Sequence, residues 1–209
     1  MCSLPPSARM IAPRNLTMSS YPTVLRSVLT ALACAAAAVA GAAEPALELM
    51  DLAGKRHAPL AVGGVKPVVL IFVTPYCPSA NAFMPEVSRI MSLYGARADF
   101  YLVHADPAVK AADAAKQAEM FALTATVLLD PACAVARAAQ ATVTPEVVVR
   151  TAGRTVYQGR INDLYLNRTR KQAEPKSHDL VAALDAILAG RPVANPVTKA
   201  IGCSIPQPD

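Results

Sequence analysis

The residues best suited to chemistry in this 209-residue chain are its five cysteines. A thiolate is a nucleophile and a metal ligand, and two thiols together can form and break a disulfide. Cys77 follows an apolar run, residues 68–73, and the turn-forming sequence Thr-Pro-Tyr. This pattern predicts a buried strand, a turn, and a helix that begins at the cysteine. Unpaired N–H groups at that helix N-terminus would stabilise the Cys77 thiolate.

The first 43 residues have the pattern of an export signal. Arg26 ends a basic segment, residues 28–40 form an apolar stretch, and small residues around Ala40 suit a cleavage site. The stretch is short and alanine-rich, so we expect cleavage and no stable membrane insertion afterwards. An uncleaved anchor helix and lipid attachment at Cys34 are the alternatives. We therefore expect a periplasmic or secreted protein in an oxidising compartment.

Signal cleavage would leave Cys77, Cys133 and Cys203 in the mature chain. An odd number of cysteines leaves at least one thiol without a permanent partner in the chain. We predict a domain at residues 44–190 and an extended C-terminal tail at 191–209, which carries Cys203. Without the three arginines of the signal, 17 basic residues face 15 acidic ones. That balance, with no aromatic residues among the basic ones, argues against nucleic-acid binding.

Helices and strands alternate along the predicted domain. After Cys77, apolar residues recur at helical spacing, and Pro85 should kink this helix. Asp106-Pro107 and Asp130-Pro131 are each expected to begin a helix, because Asp caps and Pro suits the first turn. Ser177 is expected to cap a final helix. Further strands are predicted at 99–104, whose residues 100–103 are apolar, at 142–149, and in the hairpin pattern around Gly153. The order predicts an α/β protein, a three-layer α/β/α sandwich with a mixed sheet.

These features together resemble the thioredoxin fold, in its redoxin branch, which includes peroxiredoxins and related exported thiol proteins. The matching residues are the elbow cysteine Cys77, the helix proline Pro85, Thr144-Pro145, and the tail Gly202-Cys203-Ser204-Ile205. The resemblance spans residues 47–205. It implies that the Thr144–Pro145 bond is cis, faces Cys77, and lies on an edge that binds an extended substrate or partner backbone. A trans proline that starts an edge strand is the alternative.

The resemblance leaves the reaction open. Thr74 matches the hydroxyl residue that contacts the cysteine in peroxiredoxins, although a turn hydroxyl is an equal interpretation. The position three residues after Cys77 holds Ala80, so a second thiol must come from elsewhere. Cys203 is the preferred resolving cysteine because a tail can move. Cys133 is the other candidate, although a small buried side chain is the more ordinary role for it.

Two chemistries fit this set of residues. In the first, Cys77 reduces a hydroperoxide, in an antioxidant role, and the resulting sulfenic acid is resolved by Cys203 or an external thiol. In the second, Cys77 exchanges with a protein disulfide, and an external thiol reductant completes the cycle. Neither needs a cofactor or a metal. The alternative is a binding module that keeps the fold without catalysis, or a copper-delivery protein using Cys77 and His104; a structural role suits His104 better.

Overall fold

The computed structural model describes residues 47–61 and 64–206. The predicted signal at 1–43 lies outside them. The strands are β1 (Leu49–Asp51), β2 (Arg56–His57), β3 (Val68–Phe72), β4 (Asp99–His104), β5 (Thr126–Leu129), β6 (Val143–Thr144), β7 (Glu146–Thr151), β8 (Arg154–Gly159) and β9 (Cys203–Ser204). The helices are α1 (Pro78–Tyr94), α2 (Ala111–Met120), α3 (Ala134–Ala138) and α4 (Asp179–Leu188).

Seven of these strands form one mixed sheet in the order β2-β1-β5-β4-β3-β7-β8. The central strands β3, β4 and β5 are parallel, whereas β7 pairs antiparallel with β3 and β8. Residues 69–72 of β3 are buried on both faces, which explains why its sequence shows no polar alternation. The short strands β6 and β9 pair separately, beside the main sheet.

Helices cover both faces of the sheet. Apolar residues of α1, α2 and α4 pack into one core, while α3 and the tail residue Ile205 pack into the other. Each large apolar side chain that is fully buried contributes about 1.5–3 kcal/mol. The predicted three-layer α/β/α sandwich is therefore confirmed. In the part of the chain that the structure covers, no helix combines the length and apolar character that a bilayer crossing requires.

The helix α1 follows the cysteine directly, as predicted. Its predicted apolar stripe is buried, and Pro85 lies inside it. By contrast, α2 begins at Ala111, although Asp106-Pro107 was expected to begin it. Asp106 instead accepts the backbone N–H of Ala108 in a turn, so its capping geometry serves a loop.

Three further local predictions differ from the structure. The strand expected across residues 142–149 is divided into β6 and β7 at Pro145, which has no N–H to donate to a ladder. Ser177 does not cap α4 with its side chain, because its hydroxyl donates to the Asp179 carboxylate at 2.8 Å. The helix α3 likewise starts later than Asp130-Pro131 predicts, at Ala134, although the Asp130 carboxylate accepts N–H groups of its first turn, from Ala134 and Ala136.

The C-terminal tail lies against the domain along two short contacts. The N–H of Thr198 donates to the Gln158 carbonyl at 2.9 Å, and the hydroxyls of Thr198 and Tyr157 are 2.8 Å apart. Gly159 permits this contact, because a Cβ there would overlap both the side chain and the carbonyl of Thr198. Further along, β9 pairs antiparallel with β6. The tail therefore crosses the end of β8 and reaches the loop that holds Pro145.

Candidate functional site

Cys77 is the residue that precedes α1, and its backbone is extended. The preceding turn is closed by its own N–H, which donates to the Thr74 carbonyl at 3.3 Å. Its carbonyl accepts the N–H of Asn81 at 3.0 Å, the first bond of the helix. Cys77 is only 1% exposed. The strand, turn and helix predicted from the sequence thus put this sulfur at the N-terminus of α1.

The structure joins Cys77 to Cys203 in a disulfide, with the two Cα atoms 6.1 Å apart. Cys133, the other candidate partner, is free and buried at the start of α3. Burial raises the pKa of the Cys133 thiol, and the negative charge of Asp130 adds to this shift. A buried thiol with a raised pKa is a poor nucleophile, in accord with the structural role that its sequence context favoured.

The Thr144–Pro145 peptide bond is cis, and it faces the cysteine pair. The Thr144 carbonyl oxygen lies 3.3 Å from the Cys77 sulfur. Thr144 is also paired with Cys203 in the ladder between β6 and β9, and its hydroxyl donates to the Cys203 carbonyl at 3.5 Å. The structure therefore brings together four residues singled out in the sequence: Cys77, Cys203, Thr144 and Pro145.

Thr74 lies in the same turn, but its hydroxyl points to other partners. It donates to the Asp106 carboxylate at 3.3 Å and accepts the N–H of Tyr76 at 3.5 Å. The hydroxyl nearest the sulfur is that of Ser79, at 3.0 Å from Cys77 Sγ. Because a disulfide sulfur carries no proton, Ser79 is the donor. Thr74 thus has the contacts of a turn hydroxyl, and Ser79 holds the position next to the sulfur.

Glu146 is a buried carboxylate that the sequence did not single out for a role at the site. Its oxygen Oε2 accepts the N–H groups of Thr142 and Val143, and Oε1 accepts the Gln158 side-chain amide at 3.0 Å. These bonds fix the backbone on the N-terminal side of Pro145. An acidic residue directly after a Thr-Pro pair is the only signal that could have suggested such a role.

Two arginines, Arg150 and Arg160, are bound by groups outside the cysteine pair. Arg160 donates to both Asp179 carboxylate oxygens, the shorter bond at 2.9 Å. Arg150 donates to the carbonyls of Leu60 and Gly153. Both guanidinium groups therefore have structural partners. Arg168 donates to the Ser204 hydroxyl of the tail at 3.3 Å.

His104 is buried at the end of β4, with neither ring nitrogen hydrogen-bonded. The buried position is the one expected of a structural histidine. Burial lowers the pKa of His104 to about 4, since the charged ring would lose its hydration, and the ring is neutral at pH 7. Among residues 47–61 and 64–206, no three His, Cys, Asp or Glu side chains are grouped in a way that would hold a metal ion.

An open cleft of about 480 Å³ borders the disulfide. Its walls come from the start of α1 (Pro78, Ser79), from the long loop after β8 (Tyr165, Arg168) and from tail residues 201–204. Cys203 is exposed in this cleft whereas Cys77 is not. An external thiol or disulfide that approaches through the cleft therefore meets the sulfur-bearing tail first.

No family model and no curated protein matches the chain. Several solved structures do. An uncharacterized conserved protein from Geobacillus kaustophilus is 25% identical and has a TM-score of 0.66, covering 77% of this chain and 88% of its own. A putative thioredoxin from Neisseria meningitidis is 23% identical with a TM-score of 0.53, covering 69% and 89%. A secreted Mycobacterium tuberculosis disulfide oxidoreductase homologous to E. coli DsbE is 19% identical with a TM-score of 0.50, covering 69% and 96%.

These similarities, together with the sheet order and the cis proline beside a helix-capping cysteine, give the class of fold. The chain has a thioredoxin-like α/β fold, which confirms the fold predicted from its sequence.

Proposed function

We propose that this protein is an exported thiol–disulfide oxidoreductase that uses Cys77 and Cys203 as its redox pair. One observation carries the proposal: Cys77, at a helix N-terminus and beside the cis Thr144–Pro145 bond, is disulfide-bonded to a cysteine of the tail. Such a pair can cycle between disulfide and dithiol. The secreted relative with a similar fold and the signal-like N-terminus support export.

The exchange runs through a mixed disulfide. In the reduced protein the Cys77 thiolate attacks one sulfur of a substrate disulfide, and the other substrate sulfur leaves as a thiolate. Cys203, as a thiolate, then attacks Cys77 Sγ, so that the Cys77–Cys203 bond forms and the substrate leaves as a dithiol. Two electrons have moved from the cysteine pair to the substrate. An external thiol reductant restores the pair.

Neighbouring residues assist this step by position. The unpaired N–H groups of the first turn of α1 and the Ser79 hydroxyl stabilise negative charge on Cys77 Sγ. Glu146 holds the backbone of the Pro145 loop, whose Thr144 carbonyl lies against the same sulfur. The helix dipole and the hydroxyl both stabilise the thiolate form of Cys77. This helps whether Cys77 attacks a disulfide or leaves from one.

Peroxide reduction by the same cysteines is the second candidate. In it, Cys77 attacks the peroxide oxygen, alcohol or water leaves, and Cys203 condenses with the sulfenic acid to give the observed disulfide and water. The presence of a partner cysteine within bonding distance of Cys77 favours this cycle. The contacts of Thr74 with Asp106 and Tyr76 disfavour it, because that hydroxyl would have to turn toward the substrate.

The test is a comparison of the wild type with Cys77→Ser, Cys203→Ser and Cys133→Ser variants. We expect the wild type and Cys133→Ser to reduce a protein disulfide with a dithiol reductant, and Cys77→Ser to be inactive. Cys203→Ser should accumulate a mixed disulfide on Cys77. Peroxide consumption is measured with the same four proteins. Turnover that depends on Cys77 would establish peroxide reduction as an activity. If Cys77 reacts with neither class of substrate, and the protein instead takes up copper stoichiometrically, the binding-module alternative is correct.

A further inference from the structure

The segment of residues 202–205, called the tail segment here, is bound to the domain in the manner of an extended peptide. Its Cys203 and Ser204 pair antiparallel with Thr144 and Val143. The N–H of Ile205 donates to the Thr142 carbonyl at 2.9 Å. Its cysteine is covalently bonded to Cys77. The tail segment therefore has the two attachments of a peptide in a mixed disulfide, a strand edge and a sulfur bridge.

The tail segment is attached separately from the rest of the tail. Thr198 is held by Tyr157 and Gln158, and only three residues separate it from Gly202. Beyond that anchor, the tail segment is held by the two-residue ladder, the disulfide, a few hydrogen bonds and the packing of Ile205 in the core. For the tail segment to leave β6 after reduction of the disulfide, Ile205 must leave the core, whereas the contacts of Thr198 do not have to break.

We propose that the protein partner of this site carries its reactive cysteine in an extended segment of the type Gly-Cys-polar-aliphatic, and that this segment binds by replacing the tail segment on β6. The inference rests on the proposed function, because it requires that Cys77 form mixed disulfides. The proposed exchange reaction does not specify which proteins react. The present inference specifies the sequence around the partner's cysteine.

The glycine requirement comes from Gly202. A Cβ at this position would overlap the carbonyl oxygen and carbon of Thr144, which are backbone atoms and cannot turn away as a side chain would. Thr144 is also held by its pairing in the ladder between β6 and β9 and by the contact of its carbonyl with Cys77. A partner cysteine that reaches Cys77 along the same path must therefore be preceded by glycine.

The two positions after the cysteine have their own partners. The Ser204 hydroxyl accepts a hydrogen bond from Arg168 at 3.3 Å, so a hydroxyl or a carboxylate suits this place. The Ile205 side chain is only 3% exposed and packs in the core formed around Phe72 and Val148. A partner residue there needs an aliphatic side chain to fill the space that Ile205 leaves.

The partner and the tail segment then alternate at one edge. The Cys77 thiolate attacks the partner sulfur, a second partner sulfur leaves as a thiolate, and the partner segment pairs with β6. Cys203 attacks Cys77 Sγ, the partner cysteine leaves as a thiolate, and the tail segment takes its position again. Each return of the tail segment both completes the electron transfer and expels the product.

The test uses the full-length Cys203→Ser protein, reduced, so that Cys77 reacts but no internal disulfide forms. The probes are the peptide Ala-Ile-Gly-Cys-Ser-Ile-Pro and its twin with valine in place of glycine. Each carries its cysteine as a mixed disulfide with nitrothiobenzoate, whose release is followed by absorbance. We expect the glycine peptide to react about tenfold faster or more, since a backbone overlap excludes the valine peptide from β6. Glutathione carrying the same leaving group reports the reactivity of Cys77 alone.

A second variant tests the competition. Gly202→Val, added to Cys203→Ser, should push the tail segment off Thr144 and speed the reaction of the glycine peptide several-fold. The matched control is Gly64→Val in the same background, because Gly64 lies in an exposed loop with room for a side chain. Equal rates for the two peptides, with normal reaction of the glutathione probe, would overturn the inference and leave the proposed function intact. Failure of the glutathione probe itself would instead count against the proposed function.

Discussion

The carboxylate of Glu146 accepts a hydrogen bond of 2.8 Å from the backbone N–H of Thr142, four residues earlier in the chain. The same oxygen accepts the N–H of Val143 at 3.2 Å. Glu146 is 6% exposed. A buried side chain therefore satisfies the N–H groups of Thr142 and Val143, while the same segment also pairs with β9. Glu146 and β9 together hold the loop that faces Cys77.

Replacing Glu146 with alanine is expected to lower the free energy of unfolding by about 2–4 kcal/mol, because two backbone N–H groups lose their acceptor. The matched variant Glu146→Gln keeps one acceptor oxygen and should lose less. Urea denaturation measures both. Equal losses in the two variants would show that the hydrogen bonds do not hold this loop.

The unequal exposure of the two bonded cysteines predicts where a reductant attacks. Cys77 is 1% exposed, whereas Cys203 borders the open cleft. A limiting amount of glutathione should therefore form its mixed disulfide with Cys203 and release Cys77 as the thiolate at the N-terminus of α1. Rapid quenching with N-ethylmaleimide and peptide mass mapping would identify the adduct. Glutathione found on Cys77 would contradict the prediction, and a Cys133→Ser variant should give the same map as the wild type.

The disulfide closes a long loop, because its cysteines are 126 positions apart. Its reduction should lower the free energy of unfolding by as much as about 5 kcal/mol, through the greater freedom of the unfolded chain. Denaturation of the wild type with and without a reductant measures this. The Cys203→Ser variant is the control, and its stability should not respond to the reductant.

Acid should destabilise the protein partly through His104. Its folded pKa of about 4 is below the unfolded value near 6.5, so the unfolded chain binds the proton more readily. Stability present above pH 6.5 is therefore lost as the pH falls toward 4, and about 2 kcal/mol of it is lost by pH 5. His104→Leu should reduce this loss, because leucine does not titrate. Denaturation at pH 7 and pH 5 compares the two, and equal losses would contradict the assignment.

Long apolar runs and regularly spaced apolar residues made the fold predictable from the sequence. The uninterrupted apolar run of β3 predicted a strand buried on both faces, and the spacing after Cys77 predicted α1 with its buried face. Burial of many side chains determines such elements, so a single local exception does not alter them. The prediction from Asp106 was wrong because an aspartate side chain can accept backbone N–H groups in a turn as well as at a helix N-terminus. Which of the two forms depends on the packing of the whole segment, and the local sequence does not show that.

The site was predictable only in part. The helix-capping position of Cys77 follows from local sequence, and the thiol count restricted its partner to two residues. The preference for Cys203 over Cys133 came from the mobility expected of a tail, and the disulfide agrees with it. The path of the tail across Tyr157 and Thr144, which makes the pairing possible, is encoded by no local pattern. Ser79 and Glu146 were missed for a related reason: their importance comes from distances to a sulfur and to backbone N–H groups, not from residue type.

The Cys77–Cys203 bond also makes a covalent ring of most of the domain. Strands β1 to β3 precede the ring and are attached to it by hydrogen bonds and packing, whereas the four helices found in residues 47–61 and 64–206 lie within it. A protease that cuts the exposed loop around residues 167–171 would break the backbone without separating the pieces while the protein is oxidised. Reduction would then leave the C-terminal piece attached only by hydrogen bonds and packing. A nicked molecule should therefore come apart more easily in the reduced state than in the oxidised state.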